Sequence, residues 1–337
     1  MNIDQLITIA QTMVSDNRGL LAADESTGTI TKRLDSIGVE STEESRRDYR
    51  TMLFTAEGLG KYISGTILYD ETIRQSAADG TRLVDILNSQ NILPGIKVDA
   101  GAKALAGSED EKITEGLDSL RDRVAEYVEL GAKFAKWRAV ITIGEDMPSG
   151  YCINVNAHAL ARYAKICQEG GLVPIVEPEV LMDGDHDIDT CEVITEDTLN
   201  AVFAELYAQG VALEGMILKP NMVISGKECA QQAGVEEVAA RTVASLRRCV
   251  PAAVPGIMFL SGGQSESDAS AHLNAMNANN GPLPWVLSYS YGRALQESAL
   301  KAWGGDNANN GAAQAKLLER ARANSAACAA QYMGEAA

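Results

Sequence analysis

Histidine, paired cysteine, positive charge and long apolar runs are all scarce in this sequence. Three histidines, His158, His186 and His272, are spread over 337 residues with no HxxxH or HExxH spacing. A metal centre built on clustered histidines therefore lacks its ligands, and no metal or other cofactor is expected. The six cysteines, Cys152, Cys167, Cys191, Cys229, Cys249 and Cys328, include no CxxC pair. They read as reduced, buried thiols of a cytoplasmic protein, not as a disulfide framework. Lysine and arginine number 29 against 46 acidic residues, for a net charge of −17. That balance speaks against a nucleic-acid partner or an anionic membrane, both of which need a basic surface. No apolar run approaches the ~20 residues of a membrane span. The opening MNIDQLITIAQTMV lacks the basic start of a signal peptide and reads as a short amphipathic helix.

What is present is an ordinary soluble composition, 46% apolar and 22% charged. Eight short apolar or β-branched runs recur along the chain: 19–24, 62–69, 94–99, 133–140, 172–179, 215–220, 256–263 and 285–292. They are continuous rather than alternating, which suits strands buried on both faces. Helical patterns separate them at 41–57, 118–130, 155–169, 196–209, 236–249, 265–277 and 293–303, with an Ala-rich helix at 312–333. Ser41 or Thr42 is the expected cap of the first, with Glu44 nearby, and Gly131 the expected stop of the second. Eight strand–helix alternations predict a (β/α)8 TIM barrel, with an additional C-terminal helix and short tail over about 304–337. The whole of 1–337 is expected to be a single domain, and 304–312 a loop that lets the last helix move. An open doubly wound sheet is the alternative, but no GxGxxG follows the first strand.

In a barrel, chemistry gathers at the C-terminal ends of the strands. Those ends carry Asp24, Lys97, Lys136, Glu177, Lys219, Ser261 and Arg293. So many charges at one mouth are costly unless they are paired or used. They also supply the local cations that an acidic protein needs to hold an anionic ligand. Lys219, in LKPNM, follows an apolar strand. Desolvation and neighbouring ammonium groups both lower a lysine pKa, and a neutral lysine attacks a ketone. Lys136 in FAKWR and Lys97 in GIKVD are the candidate neighbours. Pairing with Glu177 or Asp24 for folding alone is the plainer reading of any one of these lysines. Glu177 and Glu179 both suit acid–base work, and strand parity does not choose between them. Burial of Glu177 is expected to raise its pKa toward a working range. Asp24 either pairs a lysine or accepts a hydroxyl proton. The turns 261-SGG-263 and 291-YGR-293 form an expected phosphate cradle with Arg293 as clamp. Ser26, Thr29 and Arg33, with Lys97 opposite, form a weaker second one.

These residues lie in blocks that resemble class I fructose-1,6-bisphosphate aldolases over nearly the full chain. The blocks are LAADESTGTITKRL, GIKVD, FAKWR, ARYAKICQEGGLVPIVEPE, LKPNM, VPGIMFLSGGQS and SYGRALQESALKAWGG. The resemblance implies a homotetrameric barrel that reversibly cleaves fructose 1,6-bisphosphate in glycolysis and gluconeogenesis. It implies that Lys219 forms the Schiff base and that Glu177 serves carbinolamine dehydration and aldol proton transfer. It implies that Lys136 orients and polarises the intermediate and that Asp24 positions the reacting carbons. Ser261, Gly262 and Arg293 match the ketone-side phosphate site, and Thr29, Lys97 and Arg138 match groups near the far phosphate. Thr29 stands at a position often held by serine in the family and keeps the hydroxyl. Many members end on a tyrosine that assists proton exchange, whereas this chain ends QYMGEAA, with Tyr332 its last tyrosine. Proton exchange is accordingly expected to be slower or to use another group. Transaldolases and deoxyribose-phosphate aldolases also use an imine lysine but need no second phosphate site. A binding scaffold, the reading from a different class, has no need of the Lys219, Glu177 and Lys136 set.

Overall fold

All eight apolar runs become parallel strands, and their edges meet. The computed structural model describes residues 2–334. Its strands are β1 (Gly19–Ala23), β2 (Ile63–Leu68), β3 (Leu93–Lys97), β4 (Ala102–Ala104), β5 (Lys112–Thr114), β6 (Phe134–Ile141), β7 (Val173–Val180), β8 (Ile217–Leu218), β9 (Gly256–Phe259) and β10 (Val286–Tyr291). β4 and β5 form a separate antiparallel hairpin. The other eight close a barrel in chain order, with β10 pairing back onto β1. That closure removes the open doubly wound alternative.

Strand periodicity explains the interior. Alternate side chains point inward, so one parity of each strand lines the barrel. From bottom to mouth that lining changes from apolar to charged: Leu20, Ala22, Asp24 on and after β1; Phe134, Lys136, Arg138 on β6; Val173, Ile175, Glu177, Glu179 on β7; Ile217, Lys219 on and after β8. The helix Ile3–Met13 plugs the bottom, where Leu6, Ala10 and Met13 join Leu20, Phe134, Ile175 and Met258 in one buried cluster. Each large apolar side chain buried there contributes roughly 1.5–3 kcal/mol. Gly95 makes room for Phe134, because a Cβ at 95 would lie 2.1 Å from the Phe134 ring.

The helices largely fall where periodicity puts them, with instructive differences at their ends. Thr42 caps Glu43–Phe54, accepting the Ser45 N–H at 3.1 Å, while the Ser45 hydroxyl accepts the Thr42 N–H at 2.9 Å. Ser45 rather than Glu44 thus closes the capping box. Leu120–Leu130 stops at Gly131, whose φ is +111°. Gly150–Glu169 starts at 150 rather than 155, and Ile188–Ala208 at 188 rather than 196. Their caps are Ser149 and Asp187, which accept the N–H groups of Cys152 and Thr190. Thr27–Asp35, Asp70–Arg74 and Leu83–Ser89 are additional helices that the pattern did not reveal.

The expected hinge before the last helix is tied down. Asn307 Nδ2 donates to Asp48 at 3.0 Å, and Asn309 Nδ2 to the Trp303 carbonyl at 3.1 Å. The helix itself, Asn310–Cys328, is shorter than the expected 312–333 and is anchored by Arg320, which donates to Ser270 Oγ at 2.7 Å. Residues 335–337 of the expected tail lie outside the described residues. All six cysteines are free, and five are buried. No described helix is long and apolar enough to cross a membrane.

Candidate active site

The charged mouth opens into a cavity of about 840 Å³. The candidate catalytic and phosphate-site residues line it, namely Asp24, Thr29, Arg33, Lys97, Lys136, Arg138, Glu177, Lys219, Ser261, Gly262 and Arg293, while Tyr332 does not. Glu179, the alternative to Glu177, lines it too.

At its floor is a chain of four charges, three of them buried and Asp24 partly so. Glu177 stands between two lysines, with Oε1 3.0 Å from Lys219 Nζ and Oε2 3.1 Å from Lys136 Nζ. Lys136 Nζ also donates to Asp24 Oδ2 at 2.9 Å. Lys136, Glu177 and Lys219 are each no more than 4% exposed. β6 and β7 set this up: Arg138 pairs in register with Glu177 and Lys136 with Ile175, so the lysine and the glutamate point inward from adjacent strands. Two lysines facing two carboxylates compensate the desolvation that any one of them would suffer alone. Among the described residues, Glu177 Oε2 is buried and accepts no directed hydrogen bond, so its Lys136 contact is an ion pair.

Electrostatics here run opposite to the expectation from burial. Burial does push the Glu177 carboxyl up, but the charges of Lys136, Lys219 and Arg138 outweigh it and hold the group below its ordinary range. Asp24 shows the same balance: burial raises it, and Lys136, Lys219 and Lys97 push it down to about 2. Lys136 loses by burial and gains more from Asp24 and Glu177, so its pKa is raised. Glu177 and Asp24 are therefore carboxylates at neutral pH. The sign is decided by distances across strands, which strand periodicity does not carry.

A second tier of ion pairs stands above this floor. Glu179 is held by Arg138, which leaves Glu177 as the carboxylate beside Lys219. Lys97 Nζ lies 2.6 Å from Asp99 Oδ1 and donates to the Asp99 carbonyl at 2.9 Å. The Thr29 and Ser26 hydroxyls are 3.2 Å apart. Arg33 pairs with Glu25, which also receives Arg50 Nη2 at 3.1 Å. Arg33 does not lie only by Thr29: its Nη2 would be 3.5 Å from a Cβ on Gly292, beside the loop after β10.

The two glycine turns meet, since a Cβ on Gly263 would lie 2.6 Å from Arg293 Nη2. Gly262 and Gly263 have φ of +56° and +97°, and Arg293 opens the helix Arg293–Trp303. Exposed backbone N–H groups at glycine turns and a helix N-terminus suit a phosphate. Arg293 is exposed and makes no ion pair among the described residues. Glu25, Asp99, Asp183 and Lys227 also line the cavity and were missed from the sequence. Asp99 ends the GIKVD run and Glu25 follows Asp24, so strand-end position signalled both. Asp183 and Lys227 lie in loops beyond β7 and β8, where no periodicity reaches. Among the described residues no group of three His, Cys, Asp or Glu side chains is arranged to hold a metal.

Comparison with known proteins agrees with this arrangement. The family model for fructose-bisphosphate aldolase class-I matches residues 5–337. A probable fructose-bisphosphate aldolase class 1 of Xanthomonas campestris is 58% identical over 99% of this chain and 100% of its own length. The cytoplasmic isozyme 2 of Pisum sativum is 54% identical, over 98% of this chain and 92% of its own. A solved fructose-bisphosphate aldolase of Plasmodium falciparum superposes with a TM-score of 0.97 at 50% identity, covering 99% of this chain and 96% of that one. A closed barrel with these relatives is an enzyme of the lyase class. The chain belongs to the class I fructose-bisphosphate aldolase family.

Proposed function

We propose that this enzyme reversibly cleaves fructose 1,6-bisphosphate to dihydroxyacetone phosphate and glyceraldehyde 3-phosphate through an imine on Lys219, in glycolysis and gluconeogenesis. One observation carries the reading: the ion-pair run Lys219–Glu177–Lys136–Asp24, with successive contacts of 3.0, 3.1 and 2.9 Å.

Glu177, a carboxylate 3.0 Å from Lys219 Nζ, relays two protons from that nitrogen to the ketone oxygen. The first frees the amine to attack the ketone carbon and is then given to the oxygen, forming the carbinolamine; the second passes to the carbinolamine hydroxyl, which leaves as water. Proton transfer by one positioned group is worth typically 10²–10⁴-fold. The resulting cationic imine draws electrons from the neighbouring C–C bond, so the protein lysine is itself the electron sink. Lys136, fixed by two carboxylates, orients the intermediate with a permanent positive charge. Glu177, again a carboxylate, takes the hydroxyl proton lost as the bond breaks, and Asp24, on the far side of Lys136, positions the reacting carbons. Ser261, Gly262 and Arg293 hold the ketone-side phosphate, and Thr29, Lys97, Arg138 and Arg33 the other wall. Purified protein is expected to cleave fructose 1,6-bisphosphate at an undiminished rate in EDTA. No cleavage, or cleavage abolished by EDTA, overturns the reading.

We also propose a cytoplasmic homotetramer, the assembly that the family resemblance implies. The pea relative, a cytoplasmic isozyme, supports the compartment. Light scattering that returns the mass of one chain would contradict the tetramer.

A further inference from the structure

Lys227 lines the cavity without a part in the proposed mechanism, yet it reaches the ketone-side phosphate loops. A Cβ built on Gly263 would lie 2.6 Å from Arg293 Nη2 and 3.1 Å from Lys227 Nζ. Two cationic nitrogens therefore stand over the same glycine. Like charges brought this close repel unless an anion sits between them. Lys227 has a carboxylate partner, Asp183 Oδ1 at 2.8 Å, but this contact is solvent-facing, with the two side chains 40% and 63% exposed. Such pairs contribute little and exchange readily. The backbone beneath Lys227, by contrast, is fixed. Gly226 N donates to the His186 carbonyl at 2.8 Å, Lys227 N to Met182 at 2.8 Å and Glu228 N to Gly184 at 2.9 Å. These bonds zip the loop after β8 to the loop after β7 and aim a mobile ammonium from a rigid base.

We propose that Lys227 is a further ligand of the ketone-side phosphate, released from Asp183 to close on the phosphate opposite Arg293 when substrate binds. The proposal rests on the reading that the 261–263 and 291–293 turns hold that phosphate. It makes Asp183 a competitor: its carboxylate occupies Lys227 in the free enzyme and repels the incoming anion. Lys227 and Asp183 then have opposite effects on binding, which a merely structural ion pair does not.

Lys227→Met is expected to raise KM about tenfold, the worth of one charge-assisted contact. The factor should be the same for fructose 1,6-bisphosphate and fructose 1-phosphate, since both carry the ketone-side phosphate, and it should be borne by KM rather than kcat. Lys227→Arg should restore most of it. Asp183→Asn should lower KM. Equal KM in wild type and Lys227→Met, a rise confined to the bisphosphate, or KM shifts of the same sign in Lys227→Met and Asp183→Asn would overturn the proposal. Borohydride trapping with dihydroxyacetone phosphate separates the failures. If wild type forms the adduct and Lys227→Met half-saturates at the same concentration, Lys227 alone is wrong. If wild type forms none, the underlying reading falls.

Discussion

Glu177 holds Lys219 through one carboxylate oxygen, at 3.0 Å, and keeps the other toward Lys136. One carboxylate thus touches both the attacking amine and a permanent cation. In the proposed mechanism Glu177 is the proton carrier, and its charge is fixed by its neighbours, since Lys136, Lys219 and Arg138 overcome the effect of burial. Replacing it tests the role without emptying the site. Glu177→Gln keeps shape and hydrogen-bonding atoms but carries no proton, and is expected to lower kcat by roughly 10²–10⁴-fold. Substrate affinity, read from inhibition by a non-reacting bisphosphate, should change far less. A kcat within a few-fold of wild type would remove Glu177 from the chemistry.

Lys136 answers to two carboxylates, so its loss is a stability question as well. Lys136→Met leaves Asp24 and Glu177 buried without their shared cation. Breaking a buried pair from one side costs about 3–5 kcal/mol. Urea unfolding should show that loss at pH 7, and the double variant Lys136→Met/Asp24→Asn should recover part of it. A single variant as stable as wild type would mean that the pair is solvated in solution.

Acid should undo the same network. Asp24 titrates at about 2 in the folded chain against 3.8 ordinarily. Between these values the unfolded chain binds the proton and the folded one does not, so stability rises with pH there. The stabilisation is complete above about pH 4 and is lost as the pH falls toward 2. Glu177, also depressed, acts in the same direction. Urea midpoints measured from about pH 5 downward should fall less steeply in Asp24→Asn than in wild type. Parallel slopes would show that Asp24 is not depressed.

Tyr332 does not face the chemistry. Its N–H donates to Asn274 at 2.9 Å, on the helix Glu266–Asn279, and it is absent from the cavity lining. Truncation after Ala330 is therefore expected to leave tritium exchange into dihydroxyacetone phosphate unchanged. A marked slowing would return Tyr332 to the mechanism.

Much of this site was legible because barrel geometry turns strand ends into a list. Leu20–Ala22–Asp24 and Phe134–Lys136–Arg138 each carry an inward parity that passes from apolar to charged, and the charge marks the mouth. Position in the run was thus enough for Asp24, Lys97, Lys136, Glu177 and Lys219. The choice between Glu177 and Glu179 was not legible, because both have the inward parity and only the Arg138 contact separates their partners. The sign of the Glu177 shift was hidden for the same reason: it depends on distances across strands. Thr27–Asp35 was missed although Ile30 and Leu34 are spaced for one buried face, because its first turn, TGT, reads as a loop. The early start of Ile188–Ala208 had a local sign in Asp187, a cap before a mixed stretch. Lys227 had none, since its approach to Gly263 is made by loops from two different strands.

The most direct test of the account is covalent capture of the imine. The protein is incubated with dihydroxyacetone phosphate in EDTA, reduced with sodium borohydride, and the adduct is mapped by peptide mass. The account predicts one reduced adduct on Lys219, activity lost in parallel with its formation, and no adduct in Lys219→Met. An adduct on Lys136 or Lys97 would contradict the assignment of the nucleophile, and an active enzyme that yields no adduct would contradict the imine itself.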